Sequence, residues 1–162
     1  GFIETIYIYN IIYLYMKKVI VIGESNTGKT TFTSCLRDIK VLPTIGIDCF
    51  TYKNLYICDT SGSECYKYLV RSFYDQQDVF LICFRTLDQL YRIGVQRKYI
   101  NIIIYNGEDE MLRDKGRLYA KEHGVKFFSC SFVNKVDCNW IWNRIIDTTT
   151  TKQWRNLYCW FY

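Results

Sequence analysis

Two short stretches of this chain carry residues at spacings suited to handling a polyphosphate. Gly23–Thr30 reads Gly-Glu-Ser-Asn-Thr-Gly-Lys-Thr and satisfies G-x-x-x-x-G-K-[ST]. A loop of this kind turns successive backbone N–H groups toward one point, and the helix behind it adds partial positive charge. Its natural occupant is a run of phosphates. Lys29 would reach the β- and γ-phosphates, and the Thr30 hydroxyl would ligate Mg²⁺. Downstream, the apolar run Leu55–Cys58 leads into Asp59-Thr60-Ser61-Gly62-Ser63-Glu64. A carboxylate at the carboxyl end of a parallel strand, beside a phosphate loop, is placed to hold Mg²⁺. The plainer reading of Asp59 is a strand-end or helix-capping group; the phosphate loop upstream favours the metal. Gly62 would let backbone approach a γ-phosphate.

Such groups need a scaffold, and the intervening sequence supplies one. Lys18–Ile22 is a short β-branched run, read as a buried strand, and Thr31–Arg37 reads as a helix ending near Asp38. Pro43 ends any helix and leaves Thr44 in a loop. Ile45–Tyr52, the Lys53-Asn54 turn and Leu55–Cys58 form a hairpin. Cys65–Tyr74 reads as a short helix. Val79–Phe84 is continuously apolar and reads as a buried parallel strand. Leu87–Tyr99 holds a short helix weakened at Gly94, and Ile100–Tyr105 is the next strand, ending at Asn106-Gly107-Glu108-Asp109. Met111–His123 is a polar helix closed by Gly124. Val125–Phe128 is the last strand, and Val136–Asp147 the last helix, with Val136, Trp140 and Ile145 near one face. Strands alternating with helices imply an α/β fold with a mostly parallel sheet and a ligand at the carboxyl ends of its strands.

At 162 residues, 49% of them hydrophobic, the chain suits one domain with a substantial core. The net charge of +5 is scattered, with no run of five like charges, which argues against a nucleic-acid partner. The eight cysteines form no C-x-x-C pair, and several lie in apolar strands, so they read as reduced, buried thiols rather than disulfides or zinc ligands. Residues 1–15 are apolar and tyrosine-rich. The apolar run they contain falls short of the about 20 residues a bilayer span needs, and it has no basic flank or cleavage site of a signal peptide. Met16 stands directly before the first strand. Residues 1–15 therefore read as an extension, which need not be native, ahead of a domain over 16–150, with a tail over 151–162. An extra edge strand and a membrane-surface patch are the alternatives for the extension.

Gly23–Thr30, Thr44 with Ile45-Gly46, Asp59–Glu64 and Asn106–Asp109 occur in an order that resembles a small GTPase of the Ras superfamily. Pro-Thr-Ile-Gly-Ile-Asp-Cys-Phe over 43–50 is most similar to the Rab branch. The resemblance runs from Lys17 to about Ile146 and implies a P-loop NTPase fold, a three-layer G domain acting as a GTP/GDP switch in membrane traffic or signalling. It implies that Gly23, Glu24, Ser25, Asn26, Thr27, Gly28, Lys29, Thr30 and Thr31 hold the phosphates. Thr30, Thr44 and Asp59 would hold Mg²⁺. Thr44 and Gly62 would sense the γ-phosphate and order switch loops over about 39–47 and 62–74. Asn106, Asp109, Ser131 and Phe132 would hold the base, Asp109 accepting from guanine's N1 and exocyclic amine, which rejects adenine. Lys29, Thr44, Gly62 and Ser63 would serve hydrolysis.

Departures from the family pattern carry their own expectations. Ser63 stands where the family has a water-orienting Gln, which implies slow hydrolysis. Gly107 replaces a Lys whose stem covers the base. Phe132 replaces a small Ala, so its bulk is expected to crowd the base. Arg37 falls near the position of a stacking aromatic, and Asn26 where Gly is usual. The short interval from Asp59 to Asn106 implies a trimmed helix. Effector, exchange and activating proteins would engage the switch loops of a cytoplasmic protein, peripheral at a membrane. Cys159 is formally placed for prenylation, but Trp160, Phe161 and Tyr162 are atypical and the double Cys of Rab-like tails is absent; the alternative is an aromatic tail that packs on the domain or a partner. Two other functions compete. One is a nucleotide-binding pseudo-GTPase serving as an interaction module, favoured by Ser63 and Gly107. The other is a nucleotide kinase using Arg85, Arg92 and Arg97 in a lid, opposed by the Asp-Thr-Ser-Gly segment.

Overall fold

The sheet follows from runs of β-branched and aromatic residues that alternate between two buried faces. In the computed structural model, which describes residues 1–38 and 42–150, the strands are β1 (Lys17–Ile22), β2 (Ile47–Tyr52), β3 (Leu55–Thr60), β4 (Val79–Phe84), β5 (Ile100–Asn106) and β6 (Lys126–Cys130). They lie in the order β2-β3-β1-β4-β5-β6, all parallel except the β2–β3 hairpin. The helices are α1 (Phe2–Tyr15), α2 (Lys29–Ser34), α3 (Lys67–Ser72), α4 (Leu87–Ile93), α5 (Glu110–Glu122) and α6 (Lys135–Thr150). Val19, Val21, Ile57, Leu81, Ile102 and Ile104 pack on Phe32 of α2 and on α6. The intervening Ile20, Ile22, Phe80, Ile82, Ile103 and Tyr105 pack on α3, α4 and α5. That period of two is what a strand buried on both faces requires, and it makes the three layers expected of the fold.

Local details differ from the sequence reading. The helix after the phosphate loop stops at Ser34, short of Arg37. Trp142 Nε1 donates to the Phe32 carbonyl at 2.9 Å, while Leu36 N turns to Thr33 O at 3.1 Å, so the last turn tightens instead of continuing. Strand β3 runs on through Asp59 and Thr60, and β6 extends to Cys130. The buried face of α6 is Cys138, Ile141, Trp142, Ile145 and Ile146, whereas Val136 and Trp140 are exposed. At about 100° per residue, Val136 and Ile145 stand roughly 180° apart, so they cannot share a face. Helix α4 has seven residues, the trimmed helix the short interval implied.

Residues 2–15 form a helix, not an edge strand. Strand β1 is paired on both sides, by β3 and β4, and Lys17 N donates to Asn54 O, so the segment entering it meets no open sheet edge. Phe2 and Ile3 are exposed, and Tyr13 meets the Tyr56 ring edge-on at 5.0 Å. Among the described residues no helix is long and apolar enough to cross a membrane. Antiparallel pairing also sets Cys49 directly opposite Cys58, with Cα atoms 4.2 Å apart, and the two are joined as a disulfide. The expectation of reduced thiols fails for this pair: the two-residue Lys53-Asn54 turn sets positions 49 and 58 opposite each other, and the absence of a C-x-x-C spacing says nothing about cysteines paired across a hairpin. Cys35, Cys65, Cys83, Cys130 and Cys138 are free thiols. Cys159 lies outside the described residues.

Candidate functional site

The carboxyl ends of β1, β3, β4 and β5 face a cleft of about 640 Å³. Strand β1 delivers the loop 23–28, whose Asn26 adopts a left-handed φ of 63°, a conformation asparagine tolerates better than most residues. Lys29 at the start of α2 is buried, and its ammonium donates to the Glu24 carbonyl at 2.8 Å. Burial pulls its pKa below the usual lysine range, an effect opposed by the nearby Asp59 and Glu24 carboxylates.

Three hydroxyl and carboxylate groups from separate segments converge beside it. Thr30 and Thr44 each donate to Asp59 Oδ2 at 2.7 Å, and their own oxygens lie 2.6 Å apart. Asp59 is fully buried, and its Oδ1 has no hydrogen-bond partner among the described residues. Burial pushes the Asp59 carboxyl above the ordinary carboxylate range, against the two threonine hydrogen bonds and Lys29. Mg²⁺ prefers hard oxygen ligands about 2.0–2.1 Å away, so adjacent ligands in an octahedron sit about 2.9 Å from one another. An all-oxygen cluster of nearly that spacing, with one orphaned carboxylate oxygen, fits such an ion.

Gly62 closes the cleft from the second loop. A Cβ there would lie 2.3 Å from Ser25 N, so only glycine lets this backbone rest on the phosphate loop. Gly62→Ala is therefore expected to push the 61–64 loop off residues 24–25. Hydrogen exchange should show faster exchange at Ser63 and Cys65, with the sheet unchanged. Ser63 lines the cleft, and its hydroxyl contacts Cys65 Sγ at 3.1 Å.

At the other end, Asn106 ties the site together. Its Nδ2 donates to the Thr27 carbonyl at 3.0 Å, and its Oδ1 accepts from Phe132 N at 2.9 Å. The Phe132 ring does not crowd the cleft. It is buried and stacked on Phe32 at 4.8 Å, which stacks in turn on Trp142 at 4.7 Å. Arg37 does not reach the cleft either: it pairs with Asp48 at 2.7 Å and covers the Phe50 ring.

Of the residues expected at the site, Ser25, Asn26, Gly28, Lys29, Thr30, Thr31, Thr44, Gly62, Ser63, Asn106, Ser131 and Phe132 line one cleft. Gly23, Glu24 and Thr27 belong to the same loop but do not line it, and Asp59 lies behind the two threonines. Glu24 instead holds Arg92 of α4 through both carboxylate oxygens. That contact lowers its pKa and takes Arg92 out of any lid. Asp109 is exposed and caps α5, accepting from Leu112 N at 2.9 Å. Leu42, Pro43, Tyr66, Arg85 and Val133 also line the cleft and were not assigned to it from the sequence. Arg85 had a usable signal, since it directly follows a buried parallel strand. Residues 39–41 of the first switch loop lie outside the described residues.

Comparison with known proteins agrees with this geometry. A family model described as Ras family matches residues 18–102, just over half of the chain. The chain is 28% identical to Ras-related protein Rab-3D of Homo sapiens, over 85% of this chain and 76% of that protein. It is 26% identical to Ras-related protein Rab-3B of Bos taurus over the same shares. Identity to Ras-related protein Rab-3A of Homo sapiens is 26%, over 88% of this chain and 78% of that protein.

Proposed function

The chain belongs to the Ras family and is a small GTP-binding switch protein that takes GTP/GDP with Mg²⁺; we propose how its own residues divide that work. Residues 23–31 cradle the phosphates, with Lys29 the cation at their β/γ end. Thr30, Thr44 and Asp59 hold Mg²⁺, which when bound neutralises charge on the β- and γ-phosphates. The observation that carries this reading is the meeting of those three oxygens, from three separate segments, beside the buried Lys29. Thr44 and Gly62 couple the γ-phosphate to the two switch loops. Asn106, Asp109, Ser131 and Phe132 hold the guanine, with Asp109 keeping one carboxylate oxygen for the base while the other caps α5. The direct test is binding of fluorescent GDP, GTP and ATP with Mg²⁺; guanine-selective binding is expected, and equal ATP binding would overturn the base assignment.

Hydrolysis is slow in this reading. A serine hydroxyl occupied with Cys65 cannot align a water against the γ-phosphate as a longer amide would. Ser63→Gln is expected to raise single-turnover GTP hydrolysis about tenfold, roughly 1.4 kcal/mol of transition-state stabilisation. No change in rate would remove Ser63 as the cause. Chelating Mg²⁺ is expected to speed GDP release on the order of a hundredfold, since several kcal/mol of phosphate charge neutralisation is lost. Stopped-flow release of labelled GDP measures it, and Asp59→Asn should show much of the same acceleration without chelator.

Effectors, exchange factors and activating proteins engage through the switch loops, where Leu42, Ile45, Tyr68 and Leu69 are exposed. We place the protein in the cytoplasm, peripheral at a membrane and acting in membrane traffic or signalling. The second reading, a nucleotide-binding module held in one state, draws on the same Ser63–Cys65 contact. Absence of measurable turnover with GTP still bound would select it.

A further inference from the structure

The base end of the cleft holds a cation that the motifs of the sequence leave out. Phe84 is in register with Tyr105, so Arg85, one residue further, stands level with Asn106 at the neighbouring strand end. Adjacent strands lie about 4.8 Å apart, and Arg85 lines the cleft together with Asn26, Asn106 and Ser131. Only two of the lining residues, Lys29 and Arg85, are cations, and none is a carboxylate. Lys29 sits at the phosphate end with Thr30. Arg85 sits at the opposite end, where Asn106 joins the Thr27 carbonyl to the Phe132 amide. No ion pair holds Arg85 among the described residues, in contrast to Arg92, which Glu24 clamps.

Position 107 cannot furnish this charge. A Cβ on Gly107 would lie 2.4 Å from the hydroxyl oxygen of Tyr105, whose ring is buried against Phe84. The residue directly after Asn106 is therefore held without a side chain by the core beneath it, and the cation at this end comes from β4. A guanidinium offers a planar fork of donors. Guanine presents two acceptors, O6 and N7, along one edge, which matches that fork. Adenine places a donor beside its N7 and leaves one arm of the fork unpaired.

We propose that Arg85 is a specificity-determining residue that grips the acceptor edge of the guanine base; this rests on the nucleotide reading given above. The test is titration of fluorescent GDP, GTP and ADP with Mg²⁺ against the full chain, Arg85→Ala and Arg85→Lys, with thermal melts as the folding control. The Arg85 side chain is exposed and its backbone N–H bond to Gln89 persists in both variants, so the melts should match the parent. Arg85→Ala is expected to weaken GDP and GTP equally, on the order of tenfold or more, and ADP little, so that guanine preference falls. Arg85→Lys keeps the charge without the fork and should not restore the preference. A larger loss for GTP than for GDP would place Arg85 on the γ-phosphate and overturn the proposal. So would equal losses for GDP and ADP, or no loss at all. Failure of the parent chain to bind guanine nucleotides would sink the switch reading together with this one. A guanine-selective parent with unaffected variants would sink this one alone.

Discussion

Lys29→Ala is expected to lower GDP and GTP affinity by roughly 2–5 kcal/mol, from about thirtyfold to several thousandfold, the cost of removing one partner from a buried charged contact. Lys29 is only 5% exposed, and its ammonium is held over the phosphate loop by the Glu24 carbonyl. Its weakened preference for the charged state, caused by burial, is what an anionic ligand would relieve. Deleting the side chain leaves the sheet intact, because the contacts of Nζ are with Glu24 and Thr27 of its own loop. Fluorescent-nucleotide titration measures the loss, and a melt without nucleotide checks the fold. Affinity within a few fold of the parent would overturn the assignment of residues 23–31 as the phosphate cradle.

Phe132→Ala is expected to destabilise the domain by about 3–5 kcal/mol, although alanine is the residue the family pattern would place there. If the ring crowded the base, its removal would tighten guanine binding at little cost in stability. Instead the ring is 2% exposed and begins a stack through Phe32 to Trp142 that joins the base loop, the helix behind the phosphate loop and α6. Truncation opens a cavity at that junction and removes an aromatic pair. Urea unfolding should show a lower midpoint with an unchanged slope. The melting temperature should fall by roughly 8–15 °C for a domain of this size. Guanine affinity should fall too, since the Phe132 amide is the partner of Asn106 Oδ1. Tighter guanine binding with unchanged stability would restore the crowding reading.

The contrast between these two residues shows what kind of information each level holds. The placing of Lys29 follows from local chemistry: its neighbours in sequence are its neighbours in space, and a strand before and a helix after suffice to aim it. The role of Phe132 depends on which way one ring turns, and that is settled by Phe32 and Trp142, residues 100 and 10 positions away. Arg37 is a similar case. Its distance from the phosphate loop placed it near the base, but Asp48 and Phe50, arriving on β2, hold it elsewhere.

The element types, the parallel sheet and the clustering of Lys29, Thr30 and Asp59 at its strand ends were legible in the sequence, because short-range periodicity and loop chemistry determine them. The tertiary structure alone decided facing and which side chains meet. It joined Cys49 to Cys58, since a hairpin turn sets two positions opposite each other but only the approach of their side chains lets the sulfurs bond. It turned Val136 and Trp140 of α6 outward, since the face that fits the sheet is chosen by packing against β-strands far away in the chain. It put Tyr105 under Gly107 and Arg85 beside Asn106, since only adjacent parallel strands bring residues some twenty positions apart to one cleft. Local sequence thus set the loop, strand and helix around Lys29, and long-range packing determined which residues line the other end of the cleft.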